Sequence, residues 1–269
     1  MKMKRVPVVL AVWIAFVAMA TAPGFSEEMS DEELAKKTQN PVANLTSLPL
    51  QLNADYGNGP ADAAKYTLNI QPVIPFSLNE DWNLITRTIV PLIHAESPIP
   101  NGDDGNGWGD IMQSFFFTPK KDFNSWIVGG GPVLRYPSAT DDTLGSEKWS
   151  AGPTMVVLKQ ESGFTYGILV NHLWSYAGDC DRSYINATFL QPVISYTTKM
   201  HTSFGLNTES TYDWREYEWI VPINVLVTQM LKIGNQLISL QIAYRYYAEK
   251  PEGGSDWGLR FALTFLFPK

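Results

Sequence analysis

The C-terminal end of the chain alternates strictly between large apolar and small or polar residues, and no other sequence feature restricts the fold as much. Trp257 starts one face, which continues at every second position through three phenylalanines and two leucines to Phe267. Gly258 and Arg260 start the opposite face. A period of two is the period of a β-strand, whose successive side chains point to opposite sides. A face this apolar must be covered either by a protein core or by lipid.

The same alternation recurs along the chain after residue 47, separated by stretches rich in Gly, Asn, Asp and Pro. Each repeat is close to the roughly 9–11 residues that a tilted strand needs to cross a bilayer. A soluble sandwich also alternates, but here Trp, Tyr and Phe gather at segment ends, as in the aromatic girdles of outer-membrane barrels. The predicted strands, about twelve in number, are residues 48–57, 65–76, 82–93, 109–118, 126–136, 149–158, 164–176, 184–196, 201–209, 219–229, 237–247 and 257–267.

The predicted fold is therefore all-β, a transmembrane antiparallel up-and-down β-barrel with a short N-terminal helical segment. Longer polar connections alternate with shorter ones, which is typical of outer loops and periplasmic turns. An even number of strands returns both termini to the periplasm. Prolines inside the predicted strands cannot donate to a ladder and indicate bulges or strand ends. They are Pro72, Pro132, Pro153, Pro192 and Pro222.

The N-terminus carries an export signal. A basic start at residues 2–5 precedes an apolar run at residues 8–19, followed by small residues. The run is too short for a spanning helix, so residues 1–26 are expected to be a cleaved signal peptide. Ser30 to Glu33 match a helix-capping box, and residues 27–47 are interpreted as a periplasmic segment outside the wall. Residues 48–269 form the predicted barrel, which places the protein in a bacterial outer membrane.

Several short stretches look familiar together: LAKKTQNPVA at residues 34–43, NIQPVIPF at 69–76, NEDWNLITR at 79–87, DWGLRF at 256–261 and FLFPK at 265–269. They resemble a family of bacterial outer-membrane proteins named for the meta-pathway of phenol degradation, whose members are described as transporters. The resemblance covers nearly the whole mature chain. It implies uptake of aromatic compounds for some members, and it brings no catalytic residues with it.

Charged residues within the predicted strands share the face opposite the apolar one. An Arg or Lys facing lipid at mid-depth costs roughly 2–4 kcal/mol, so these charges are expected to face the lumen. There they either pair with one another and plug the barrel or line a water-filled path. The candidate lumen-lining residues are Asp55, Lys65, Arg87, Asp110, Arg135, Glu209, Arg245 and Arg260. Because neither Arg245 nor Arg260 faces lipid, replacing both by alanine is expected to leave folding intact and to shift selectivity towards cations.

No enzyme is predicted. His172 lies on the apolar face of its strand, whereas Ser175 falls on the opposite face, so the two cannot form a nucleophile–base pair. The acidic loops lack a calcium-loop spacing, and no cofactor is implied. A net charge of −7 makes nucleic acid an unexpected partner. The expected partners are outer-membrane lipid, a small-molecule solute, and the barrel assembly machinery through the C-terminal strand.

The residues alone are compatible with two functions. The first is a narrow channel for passive passage of small aromatic or amphipathic solutes. The second is a structural or adhesive barrel with a plugged lumen and acidic surface loops.

Overall fold

The fold comes from a computed structural model that describes Asn40, residues 42–121 and residues 124–268. The predicted signal peptide lies outside these residues, and so does the predicted helix up to residue 39. Within the described residues, no helix is long and apolar enough to cross a membrane. The strands are β1 (Thr46–Asn58), β2 (Ala63–Ile70), β3 (Val73–Ser77), β4 (Trp82–Ala95), β5 (Gly105–Trp108), β6 (Ile111–Pro119), β7 (Trp126–Tyr136), β8 (Lys148–Glu161), β9 (Phe164–Gly178), β10 (Asn186–Thr197), β11 (Thr202–Thr208), β12 (Ser210–Asp213), β13 (Glu218–Ile233), β14 (Gln236–Glu249) and β15 (Trp257–Phe267).

These strands form one closed antiparallel barrel with a twelve-strand wall, as the sequence predicts. Three wall strands are each interrupted once and therefore consist of two parts: β2 with β3, β5 with β6, and β11 with β12. The C-terminal strand β15 pairs with both β14 and β1. On the far side, β10 pairs with β9 and with both parts of the β11–β12 strand, which in turn pair with β13. Among the described residues, the wall strands pair on both sides except at β5, which pairs with β4 alone, and closure of this kind is the condition for placing a sheet in lipid.

The prolines lie at several of the irregular points of the ladder. Pro72 separates β2 from β3, and the β13–β14 register shifts between Val221 and Pro222. Pro132 on β7 faces Pro153 on β8, so two residues without an N–H oppose each other. Pro192 lies beside the break between β11 and β12: β10 pairs with β11 up to Asn207 and with β12 from Ser210. Glu209 occupies that break.

The outside of the wall is apolar on every wall strand. Large apolar side chains at alternating positions are more than a third exposed, in the pattern of a lipid-facing surface. They include Leu52, Phe76, Trp82, Phe117, Trp126, Met155, Tyr166, Ile194, Phe204, Val225, Ile242 and Phe261. Stacked aromatic rings, such as Tyr56 on Trp257 at 4.7 Å between ring centroids, mark one rim of this surface.

The two ends of the barrel differ in their connections. At the end near Thr46 and Phe267, here called the terminal end, turns are as short as residues 162–163 and 234–235. At the opposite end, here called the loop end, connections include residues 96–104, 137–147, 179–185 and 250–256. This difference agrees with the predicted alternation of short and long connections.

Part of the N-terminal segment lies inside the barrel. Val42 is buried against Ile85, Phe116 and Val156 of the interior wall. Ala43 and Leu45 pack with Met230, Leu237 and Leu266 at the terminal end. The described end of the segment predicted at residues 27–47 is thus in the lumen rather than outside the wall, because its apolar side chains find an apolar interior surface there. We call Asn40 and residues 42–45 the lumen segment.

Candidate functional site

The barrel interior contains a buried ionic network, here called the lumen cluster, formed by Asn53, Asp55, Glu209, Arg245 and Arg260. Arg260 donates to Glu209 from both terminal nitrogens, with Nη1–Oε1 at 2.8 Å and Nη2–Oε2 at 2.6 Å. Arg245 pairs with Asp55 through Nε–Oδ1 at 3.0 Å and with Glu209 through Nη1–Oε2 at 3.4 Å. The Asn53 carboxamide oxygen accepts hydrogen bonds from both arginines. Arg245 and Arg260 are only 6% and 2% exposed.

Small residues allow these long side chains to meet across strands. Gly258 on β15 lies directly between Arg245 on β14 and Asp55 on β1 in the ladder. A Cβ at Gly258 would lie 2.3 Å from Asp55 Oδ1, so only glycine leaves the gap in which Asp55 and Arg245 pair. Ala243 lies opposite Arg260 and, with only a methyl group, leaves room for Arg260 to reach Glu209. Glu209 lies in the break between β11 and β12, opposite Pro192, and accepts the hydrogen bonds from Arg260 there.

Arg87 is the third interior guanidinium near the cluster. Its Nη2 donates to Gln71 Oε1 at 2.6 Å, and its charge interacts with that of Glu209 at longer range. Arg87, Arg245 and Arg260 together carry three positive charges, whereas Asp55 and Glu209 carry two negative ones. The group therefore keeps one positive charge in excess.

A cavity of about 220 Å³, here called the chamber, lies between the lumen cluster and the lumen segment. On β1 the lining residues Ser47, Pro49 and Gln51 come before Asn53 in the chain, and on β15 the lining residues come after Arg260. The chamber therefore lies on the terminal side of the lumen cluster. Asn40, Ala43 and Leu45 line its other side. The chamber is a partly open space inside a wall that is apolar on the outside.

The chamber has two chemically different faces. Strands β14, β15 and β1, with the break after β2, contribute most of the hydroxyl and amide side chains, Ser239, Gln241, Thr264, Gln51 and Gln71, beside the apolar Pro49, Ala262 and Leu266. Half the circumference away in strand order, strands β8 and β9 contribute the aliphatic side chains Val156, Leu158 and Leu169, and β10 contributes Val193 together with the polar Gln191 and Ser195. Arg87 on β4 lies next to the polar face. The space can therefore hold a molecule with one polar and one apolar side.

The remaining predicted lumen residues lie elsewhere. Asp110 and Arg135 pair with each other at 3.1 Å, and the Asp110 side chain is 1% exposed. Asp110 also accepts hydrogen bonds from Ala139 and Ser146, so this pair holds the long connection 137–147 against the barrel. Lys65 is exposed, opposite Asp55 in the β1–β2 ladder, and is not part of the lumen cluster.

The connection 137–147 is itself organised by its acidic residues. Thr143 donates to Asp141 from its backbone N and its hydroxyl, at 2.8 and 2.6 Å, and these hydrogen bonds lower the pKa of the Asp141 carboxyl. A hydrogen bond with Asp142 raises the pKa of Glu147. The acidic residues of this loop thus serve its local structure.

Sequence reasoning on charges alone missed the neutral half of the site. Asn53, Gln51, Gln71 and Gln241 occupy the same alternating face as the charged candidates, so strand parity could have found them. The sequence periodicity carries no information on the contact of Val42 with Ile85, Phe116 and Val156 inside the barrel.

The external histidine has a hydroxyl partner other than the one considered from the sequence. His172 Nδ1 lies 2.7 Å from Thr188 Oγ1, and its ring packs on Trp174 with centroids 4.0 Å apart. Trp214 Nε1 donates to the same hydroxyl at 2.8 Å. Among the described residues no carboxylate contacts His172 Nε2, so the ring lacks the third group that orients a catalytic base. The contact between His172 and Thr188 therefore joins β9 and β10 on the outer face of the wall.

Comparisons with known proteins identify the architecture. No protein-family model matches the chain, and no curated protein matches it either. Among solved structures, an outer membrane channel from Pseudomonas putida F1 superposes with a TM-score of 0.66 at 13% identity, covering 92% of this chain and 100% of that one. The NanC porin superposes with a TM-score of 0.55 at 14% identity, covering 81% of this chain and 98% of that one. The fold is that of outer-membrane β-barrels, and the resemblance to the phenol-degradation family stays a prediction.

Proposed function

We propose that the protein is a bacterial outer-membrane channel for the passive passage of small aromatic or amphipathic solutes. The observation that carries this proposal is the chamber, a cavity of about 220 Å³ within the lumen with one polar and one apolar face. A barrel whose interior served stability alone would be packed to the density of a protein core, with few voids larger than a water molecule. Two solved barrels of the same fold are a channel and a porin, which supports the proposal.

The lumen-lining role assigned from the sequence is proposed for five of the eight candidates. Arg87 lines the chamber, and Asp55, Glu209, Arg245 and Arg260 form its boundary towards the loop end. Asp110 and Arg135 are proposed instead to anchor the connection 137–147, and Lys65 to lie outside the solute path.

Single-channel recording in a planar bilayer tests the proposal. Refolded protein should give discrete conductance steps, and vesicles that contain it should admit small aromatic solutes faster than vesicles without it. The control is the same preparation after heat unfolding. Neither steps nor uptake from a preparation that migrates as folded protein would contradict channel function.

A structural barrel with a plugged lumen is the alternative, and one observation favours it. The lumen segment fills the terminal end, and the lumen cluster bridges strands on the other side of the chamber. A permanently plugged barrel would stay silent even after Val42 is replaced by a charged residue. A channel with a displaceable segment would become more conductive.

The orientation in the membrane is also part of the proposal, with the terminal end in the periplasm and the loop end outside the cell. Cys180 offers a direct test because it is exposed in the connection 179–185. A membrane-impermeant maleimide should label Cys180 on intact cells. In the matched control, Cys180→Ser with Asn235→Cys moves the thiol to the exposed turn at the terminal end, and labelling should then require disrupted cells. The reverse pattern would contradict the orientation.

A further inference from the structure

Arg87 differs from the other two interior arginines in how its charge is met. Arg245 and Arg260 both form ion pairs with carboxylates at 3.4 Å or less. Among the described residues, the hydrogen bond of the Arg87 guanidinium is the one to the neutral Gln71. A guanidinium has five N–H donors in a planar fork that matches a carboxylate. Arg87 therefore has the charge and the donors to bind an anion in the chamber.

The carboxylate of Glu209 does not satisfy these donors. Glu209 interacts with Arg87 electrostatically, but both of its oxygens already accept hydrogen bonds from Arg260, and one also pairs with Arg245. After these pairings, one positive charge is left in the group. A monoanion bound at Arg87 would balance it.

The size and lining of the chamber restrict which anion fits. An apolar cavity of roughly 150 Å³ is known to hold benzene, so about 220 Å³ accommodates one ring with a small substituent. Leu169 on β9 and the partly exposed Val193 on β10 offer a ring an aliphatic surface, whereas an ion without an apolar part gains nothing from them. Gln51 and Gln241 can satisfy further polar atoms beside the carboxylate.

We infer that the chamber binds a small aromatic monocarboxylate, with the carboxylate on Arg87 and the ring against Leu169 on β9 and Val193 on β10. This inference rests on the proposed channel function and names the class of solute that the channel binds on its way. The same geometry makes Arg87 the specificity-determining residue of the site.

Equilibrium binding to folded protein in detergent micelles tests the inference without requiring transport. The probes are benzoate, benzyl alcohol as the neutral molecule with the same ring, and acetate as the anion without a ring. Wild-type protein should bind benzoate at least tenfold more tightly than either of the others. Equal binding of benzoate and benzyl alcohol would overturn the role of the charge, and equal binding of benzoate and acetate would overturn the aromatic class.

Two charge variants localise the effect. Arg87→Gln should weaken benzoate binding about tenfold, equivalent to about 1.4 kcal/mol, and leave benzyl alcohol unchanged. Lys65→Gln removes the same charge from an exposed site and should change neither. Equal losses in the two variants, or no loss in Arg87→Gln, would overturn the assignment. If Arg87→Gln fails to fold, Arg87→Lys keeps the charge but not the fork and should retain part of the preference for benzoate.

Val193→Asn tests the apolar wall. It should weaken benzoate binding without changing acetate binding, and an unchanged benzoate affinity would contradict the placement of the ring. Conductance separates the two proposals: a wild-type barrel that conducts but shows no benzoate preference refutes the inference alone. A barrel that binds benzoate yet never conducts refutes the channel.

Discussion

At the scale of single residues, the charged side chains of the lumen cluster stabilise the interior of the barrel only as ion pairs. Arg245 and Arg260 lie on the face that the sequence assigns to the lumen, and sequence reasoning expects their removal to be harmless because neither faces lipid. The structure changes that expectation. Both guanidinium groups are buried and hold the carboxylates of Asp55 and Glu209, and removing one partner of a buried pair leaves the other uncompensated.

A double-mutant cycle on Glu209 and Arg260 measures this dependence. Each single change, Glu209→Gln or Arg260→Gln, should lower the free energy of unfolding by about 3–5 kcal/mol, because a buried charge loses its partner. The double variant should lose less than the sum of the two, in urea titrations of refolded protein. The control cycle on Lys159 and Glu161, a surface pair at 2.6 Å, should show a coupling of about 1 kcal/mol or less. Additive losses in the interior pair would contradict the network.

Gly258 is predicted to be the glycine on which the cluster most depends. Gly258→Ala places a methyl group against Asp55 Oδ1 at 2.3 Å and should destabilise the barrel by about 1–3 kcal/mol through overpacking. Gly130→Ala is the matched control, since its nearest atom would be at an ordinary 3.5 Å. Thermal unfolding of the two variants measures the difference. Equal midpoints would show that Asp55 and Arg245 do not need the gap.

At the scale of elements, the wall strands are predictable and their interruptions are only partly so. The segments predicted at residues 126–136 and 257–267 coincide with β7 and β15, because a half-exposed strand in lipid must alternate at every residue. Prolines indicate irregular ladders, and Pro72 and Pro222 do mark them. The sequence does not show that the interruption opposite Pro192 falls in the neighbouring β11–β12 strand while its own strand β10 continues. That depends on which strands pair.

The C-terminal strand is predicted to decide whether the barrel assembles. β15 pairs with β14 along one edge and with β1 along the other, so deleting residues 257–269 removes the closing strand and leaves two open edges. We also expect Phe267→Asp to block assembly, because the outward Phe267 side chain is the terminal aromatic that the assembly machinery would bind. Phe267→Leu should assemble. Heat-modifiable migration on gels is the readout, and normal migration of Phe267→Asp would refute this role.

At the scale of the whole molecule, the lumen is divided by parts that come from distant regions of the chain. The lumen cluster joins β1, β14 and β15 to the β11–β12 break, and the lumen segment crosses to the wall of β4, β6 and β8. The chamber exists because these two barriers stand apart. We therefore expect the lumen segment to restrict access to the chamber from the terminal end.

Val42→Asp tests that control. A charge on a side chain buried among Ile85, Phe116 and Val156 should displace the lumen segment and raise the single-channel conductance severalfold, whereas the wall should still fold. Asn44→Asp adds the same charge to the exposed neighbouring residue and should leave conductance unchanged. Identical conductance in Val42→Asp and wild type would mean that the segment does not restrict the path.

The sequence by itself determined the class of wall and its alternating faces, because a strand repeats every two residues and lipid penalises a charge on the outer face. It also indicated export and the closing role of the last strand. The tertiary structure alone decided which charges meet, since parity assigns a face but neither a depth nor a position around the circumference. Asp55, Glu209, Arg245 and Arg260 converge only after closure brings β1 beside β15. For the same reason Arg87 is left facing the chamber, and Val42 finds an apolar surface more than a hundred residues away in Val156.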